Sequence, residues 1–166
     1  MQRLICFLLA VCLLFCLCAC KQKAPENPVT FYYPLLKNTC AENRNVLAEE
    51  IRETVGNTDV SSLITLYLNG PNNAKLASPF PAGTNLIAIQ AEKDTITITL
   101  TDRFATLSGI ELTLASTALG LTCMKLTGAK TVQIQTQAMA LNDSEQIVIN
   151  ADNLLLSDNL SAIEAE

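Results

Sequence analysis

Few side chains in this chain are of a kind that does chemistry, and their spacing limits what that chemistry could be. Glu49, Glu50 and Glu53 cluster, and Asp94 and Asp102 bracket one stretch, so paired-carboxylate acid/base work is formally open. Acidic side chains in turns and on charged faces are usually solvated, and that is the reading preferred here. The 166 residues include no histidine, which excludes Ser-His-Asp arrangements and His-containing metal sites. No Gly-x-Ser-x-Gly elbow, Gly-x-x-x-x-Gly-Lys-Ser/Thr loop or Gly-x-Gly-x-x-Gly fingerprint is present. No catalytic residue, cofactor-binding residue or metal ligand is therefore assigned, and no cofactor is expected. Of the seven cysteines, Cys40 and Cys123 alone lie beyond the first twenty residues. They could pair in an exported protein, but Cys123 falls in an apolar helical pattern where a free thiol packs as a small hydrophobe.

The remaining reactive position is Cys20. Leu4 to Ala19 is an unbroken apolar run preceded by Arg3 and ending Leu17-Cys18-Ala19-Cys20. A cationic start, an apolar segment and small exit residues have the anatomy of an export signal. As a helix the run rises about 24 Å, short of a hydrocarbon core of about 30 Å, so an uncut membrane anchor is the weaker alternative. The last four residues resemble the bacterial lipobox, which implies cleavage after residue 19 and lipidation of Cys20. The expected address is the outer face of the bacterial cytoplasmic membrane.

Charge agrees with attachment by lipid rather than by electrostatics. Acidic residues number 16 against 11 basic ones, for a net charge of −5. Such a chain is repelled by phosphate backbones, so no nucleic-acid partner is expected.

The elements that must position everything else follow from periodicity. Residues 1–19 read as signal peptide and 20–28 as lipidated cysteine and tether, the latter polar with two prolines. Val29 to Leu35 alternates as a half-buried strand, and Lys37 to Asn45 is loop. Val46 to Val55 fits either an edge strand or a helical stripe of Leu47, Ile51 and Val55. Asp59 is an N-cap for a helix carrying Val60, Leu63, Ile64, Leu66, Tyr67 and Leu68, closed by Asn69-Gly70-Pro71. Asn85 to Glu92 and Thr95 to Thr101 are strands joined at Lys93-Asp94, the second with Ile96, Ile98 and Leu100 opposite a threonine face. Asp102-Arg103-Phe104 reads either as a helix-opening turn whose ring covers the core or as a charged surface contact. A long helix runs from Leu107 or Gly109 to Leu126 with a wide apolar face, stopped by Gly128. Thr131 to Thr136 and Gln146 to Asn150 are further strands, the last leading to an acidic tail within 141–166.

The fold class expected is α+β: one domain, an antiparallel or mixed sheet, two helices on one face. Val29-Thr30-Phe31-Tyr32, Leu68-Asn69-Gly70-Pro71, Pro81-Ala82-Gly83-Thr84 and Ile96 to Phe104, then Leu119-Gly120-Leu121-Thr122 and Gly128 to Ile134, resemble in order and spacing the GerM domain of sporulation and spore-germination proteins. The likeness covers about residues 29–140. It implies a module related to the ring-building domains of secretion and sporulation channels, whose members are commonly exported lipoproteins and in some cases support channel assembly, and transfers no catalytic residue.

Two surfaces stand out. Gly109, Thr113, Ser116 and Gly120 form a strip of small residues on the long helix, which either admits a partner's backbone or is simply its less buried side. On the first reading Gly120→Leu leaves the fold intact and removes association. The threonine face of residues 95–101 could stack on a sheet or a polysaccharide, though antiparallel sheets commonly wet one face. Gly70-Pro71 and Pro81-x-Gly83-Thr84 read as structural turns rather than binding loops. The expected function is a non-catalytic, lipid-anchored assembly module. Its partners are the membrane through Cys20, envelope or sporulation-complex proteins, or copies of itself. The alternative is a binding module for wall glycan or a small ligand.

Overall fold

The computed structural model describes residues 27–36, 46–54, 58–141 and 146–153. The stretch expected to be an export signal, Cys20, most of the expected tether, the expected loop with Cys40, and the acidic residues beyond 153 lie outside the described residues.

Strand β1 (Pro28–Pro34) buries Phe31 and Tyr33, as its alternation requires. It pairs antiparallel with β2 (Leu47–Glu53), from Pro28 opposite Glu53 to Pro34 opposite Leu47. The ambiguous stretch is thus a strand. The helical stripe has no core to cover, because Ile51 is 60% exposed, whereas Glu50 and Arg52 turn inward. Helix α1 (Val60–Leu68) begins where Asp59 accepts a hydrogen bond from the Ser62 amide at 3.0 Å, and it buries Leu63, Ile64 and Tyr67.

Strands β3 (Leu86–Glu92) and β4 (Thr95–Leu100) form the expected hairpin. Without a glycine in the turn, Lys93 takes the left-handed conformation itself, at φ 52°. A short 3-10 turn (Asp102–Thr106) buries Phe104 and leads into α2 (Gly109–Thr127). Gly128 ends that helix at φ 73°, donating its amide to Met124 O at 2.8 Å. Then come β5 (Thr131–Thr136), a one-turn helix α3 (Gln137–Leu141) that the periodicity does not announce, and β6 (Ile147–Asn150).

The α+β class holds. The strands, however, divide into two sheets, the ribbon β1-β2 and a mixed sheet ordered β3-β4-β5-β6. β4 and β5 run parallel, joined by the crossover through α2 that parallel neighbours require. Helix α2 touches β1 as well as β5 and β6, so it is covered from two directions rather than lying on one face of a single sheet. Thr122 Oγ1 accepts the Tyr32 amide on the ribbon side at 3.0 Å, while Gly120 meets Ile149 of β6 on the other. This two-sided cover explains the continuous burial of Ala115 to Gly120. Strand β6 pairs antiparallel with β5 in the mixed sheet. An aromatic row of Phe31, Tyr33, Tyr67, Phe80 and Phe104 runs through the interior, with Tyr33 and Tyr67 centroids 4.8 Å apart.

Candidate interaction site

The most concentrated polar chemistry lies under the ribbon. Arg52 is 8% exposed and Glu50 7%, both on the inner face of β2. The guanidinium sits 5.0 Å from the Phe31 ring centre and 5.7 Å from that of Tyr33. It donates to Gly70 O at 2.6 Å and to the Tyr33 hydroxyl at 3.2 Å, and grips Glu50 Oε2 through both Nε and Nη2. The other carboxylate oxygen, Oε1, accepts the Asn72 and Asn73 amides at 2.8 and 2.7 Å. Both oxygens of Glu50 are engaged, so it braces the turn after α1 and is not placed as an acid or base. Tyr33 donates to Tyr67 O at 2.7 Å, and Tyr67 to Tyr32 O at 2.9 Å. Burial pushes both phenols up in pKa, so they act as fixed donors.

The sequence clusters of carboxylates do not converge. Glu49 and Glu53 point to the opposite face of β2 from Glu50, because side chains alternate along a strand. Glu49 accepts the Tyr32 hydroxyl at 2.8 Å, and burial together with that bond pushes Tyr32 up to about 12. Asp94 meets Lys130 at 2.8 Å in solvent, and Asp102 caps the amide of Ala138 at 2.8 Å. Among the described residues no group of three or more metal-ligating side chains occurs. Cys123 is a free thiol, fully buried, and burial pushes its pKa up to about 12.

The small-residue strip is divided by the fold. Gly109 and Thr113 are exposed, whereas Ser116 is 2% exposed and Gly120 is buried. Small residues do allow a close approach, but what approaches at Gly120 is this chain's own β6: an added Cβ would lie 2.5 Å from Ile149 Cγ2. Gly120→Leu therefore strikes the fold first, contrary to the expectation from sequence.

The threonine face is knitted to its neighbours. Thr97 donates to Gln133 at 3.0 Å, Gln135 to Thr99 at 3.0 Å, and Gln146 to Gln135 at 2.7 Å. The proposed turns act as turns: Thr84 N donates to Pro81 O at 3.1 Å and Thr101 Oγ1 to Gly83 O at 2.9 Å. A cleft of about 420 Å³ opens between Pro79, Phe80, Pro81, Leu107 and Leu114 and carries one carboxylate, Glu111. The Arg52–Glu50 centre was not found from sequence. Its one signal is a charged pair two residues apart, which a strand sends to the same face.

Fold and surfaces together define a small α+β module whose polar side chains chiefly brace its own backbone. Residues 30–137 match the Germane family, described as sporulation and spore germination, and the chain belongs to that GerM-type family. It is not a family known for enzymes. No curated protein and no solved structure matches the chain.

Proposed function

We propose that this protein is a non-catalytic assembly module, tethered outside the cytoplasmic membrane by acyl chains on Cys20, that supports a sporulation or germination complex. The family match over residues 30–137 carries the sporulation setting. The lipobox-like Leu17-Cys18-Ala19-Cys20 supports the tether. A single lipid chain holds only marginally, so residence at the membrane draws on the several chains of a processed bacterial lipoprotein. The non-catalytic reading draws on the lack of histidine and on Glu50, whose oxygens are already committed. The glycan-binding alternative would use the threonine face, whose hydroxyls and amides are instead spent largely on one another.

The test is localisation of the native protein and Cys20→Ser, with co-purifying proteins identified after mild detergent extraction. Membrane residence should be lost on substitution, and protein partners should accompany the native form. An intact mass showing an uncleaved, unmodified leader overturns the tether. Sedimentation with purified wall in place of protein partners, or turnover of a substrate, overturns the assembly reading.

A further inference from the structure

Sheet edges carry unpaired backbone groups and are normally blunted against pairing with other chains. Among the described residues, three of the four sheet edges are blunted. On β1 the residues whose backbone points away from β2 are Pro28, Thr30, Tyr32 and Pro34. Two of these have no N–H, the Tyr32 amide is taken by Thr122, and Ala77 N donates to Pro34 O at 2.9 Å. Strand β3 carries a register shift at its start, between Leu86 and Ala88, that bends the edge there, and β6 is four residues long.

The edge of β2 is different. Leu35 N donates to Val46 O and Thr54 N to Asn27 O, which fixes the alternation of the ribbon ladder. Ala48, Glu50 and Arg52 must then pair with β1, while Leu47, Glu49, Ile51 and Glu53 turn their N–H and C=O outward. Among the described residues none of these four has a backbone partner on that side. The edge is regular, without proline or bulge, over seven residues, roughly 20 Å. The same four residues form the outer side-chain face, where Glu49 and Glu53 flank the 60% exposed Ile51.

We propose that this edge takes up an extended segment of a partner protein as a third strand, with basic residues opposite Glu49 and Glu53 and a β-branched residue opposite Ile51. Charge selects the occupant. A second copy paired about Ile51 would set Glu49 against Glu53 of its twin, whereas lysine or arginine complements both. The inference deepens the assembly reading and rests on it for the existence of a protein partner.

The test uses the purified full chain and the blocked palindromic peptide Thr-Val-Thr-Lys-Thr-Val-Thr-Lys-Thr-Val-Thr, with its glutamate counterpart for comparison. The basic peptide should bind, more weakly as salt rises, and the acidic one should not. Amide exchange should show protection gained at Leu47, Glu49, Ile51 and Glu53, with Ala48, Glu50 and Arg52 protected already. Ile51→Pro removes an outward N–H without touching the ribbon ladder and should weaken binding about tenfold. If that variant fails to fold, Glu49→Lys with Glu53→Lys should reverse the preference toward the acidic peptide. Equal binding of both peptides, unchanged affinity in Ile51→Pro, an unreversed preference, or protection falling on other strands overturns the proposal. Self-pairing of the chain through this edge, seen by sedimentation, overturns it also. Peptide failure while partners still co-purify sinks the edge alone. Peptide binding with no protein partners recovered sinks the assembly reading.

Discussion

Gly120→Ala tests the joint between α2 and β6, because two opposed effects of known size meet there. In an exposed helix the change stabilises by about 1 kcal/mol, since glycine is a poor helix former. Here the new Cβ would stand 2.5 Å from Ile149 Cγ2, 2.9 Å from its Cβ and 3.2 Å from its Cγ1. Carbon atoms prefer about 3.5–4.0 Å, so Ile149 must retreat by about 1 Å. Three contacts with a branched side chain cannot all be relieved by one rotamer change. Over-filling of this kind costs about 1–3 kcal/mol, more than the helix gains. Three simultaneous contacts place the cost in the upper part of that range, about 2–3 kcal/mol, which leaves a net loss of about 1–2 kcal/mol after the helix gain and a fall in the urea midpoint on the order of 1 M. Ile149→Ala removes two of the three opposing atoms. In the double variant the two costs should fail to add, with a coupling of at least about 1 kcal/mol. A raised midpoint for Gly120→Ala, or strictly additive costs, would refute the close approach of β6 and restore the strip as open surface.

Arg52→Met should cost about 3–5 kcal/mol in chemical denaturation, because it leaves Glu50 buried without its cation. Arg52→Met with Glu50→Met should be milder than Arg52→Met alone, and a double variant worse than the single would contradict the pairing. Asp59 is held below the ordinary carboxylate value of 3.8 by its bonds from Ser62, so its cap stabilises the folded state at neutral pH. That stability is fully present above the ordinary value and is lost as pH falls through the lowered folded value. Asp59→Ala should therefore melt lower than wild type at pH 7, and the difference should close in strong acid. A gap that persists under acid would count against the cap. In a Cys40→Ser, Cys20→Ser chain without its leader, Cys123 should resist thiol reagents when folded and react fully in urea. Rapid labelling of folded protein would place the thiol elsewhere.

Local rules carried much of the fold. Asp59, Gly128 and the Ile/Thr alternation of β4 are self-sufficient signals, since a cap, a left-handed stop and a period of two need no distant partner. Residues 46–55 were not legible for the opposite reason. Along β2 the inward positions are Ala48, Glu50 and Arg52, so polarity reads inside out, and the groups that make that burial tolerable, Gly70, Asn72, Asn73 and the Phe31 and Tyr33 side chains of β1, all lie about twenty residues away. The division into two sheets followed from the same blind spot. Periodicity on α2 announced a wide buried face, yet it could not say that Tyr32 covers one side and Ile149 the other. The small-residue strip stays ambiguous in sequence for the same reason: smallness reports close approach, not whose backbone approaches.

The buried ion pair and the bare edge belong to the same strand, and the first bears on the second. A strand with one open edge is free to slip, and a slip of one residue exchanges its two faces. In β2 a slip would carry Glu50 and Arg52 into solvent and draw Glu49 and Ile51 inward, away from the amides of Asn72 and Asn73 and the carbonyl of Gly70. The buried pair thus fixes register, a use for which buried charge is better suited than for raw stability. An edge with fixed register offers a preformed ladder and reduces the ordering cost of adding a strand. Arg52→Met with Glu50→Met, although folded, should then bind the basic peptide more weakly than wild type and lose the alternation of amide protection along residues 47–53. Unchanged affinity in that variant would show that register is set elsewhere, by Tyr32–Glu49 or by the Ala77 amide on Pro34 O.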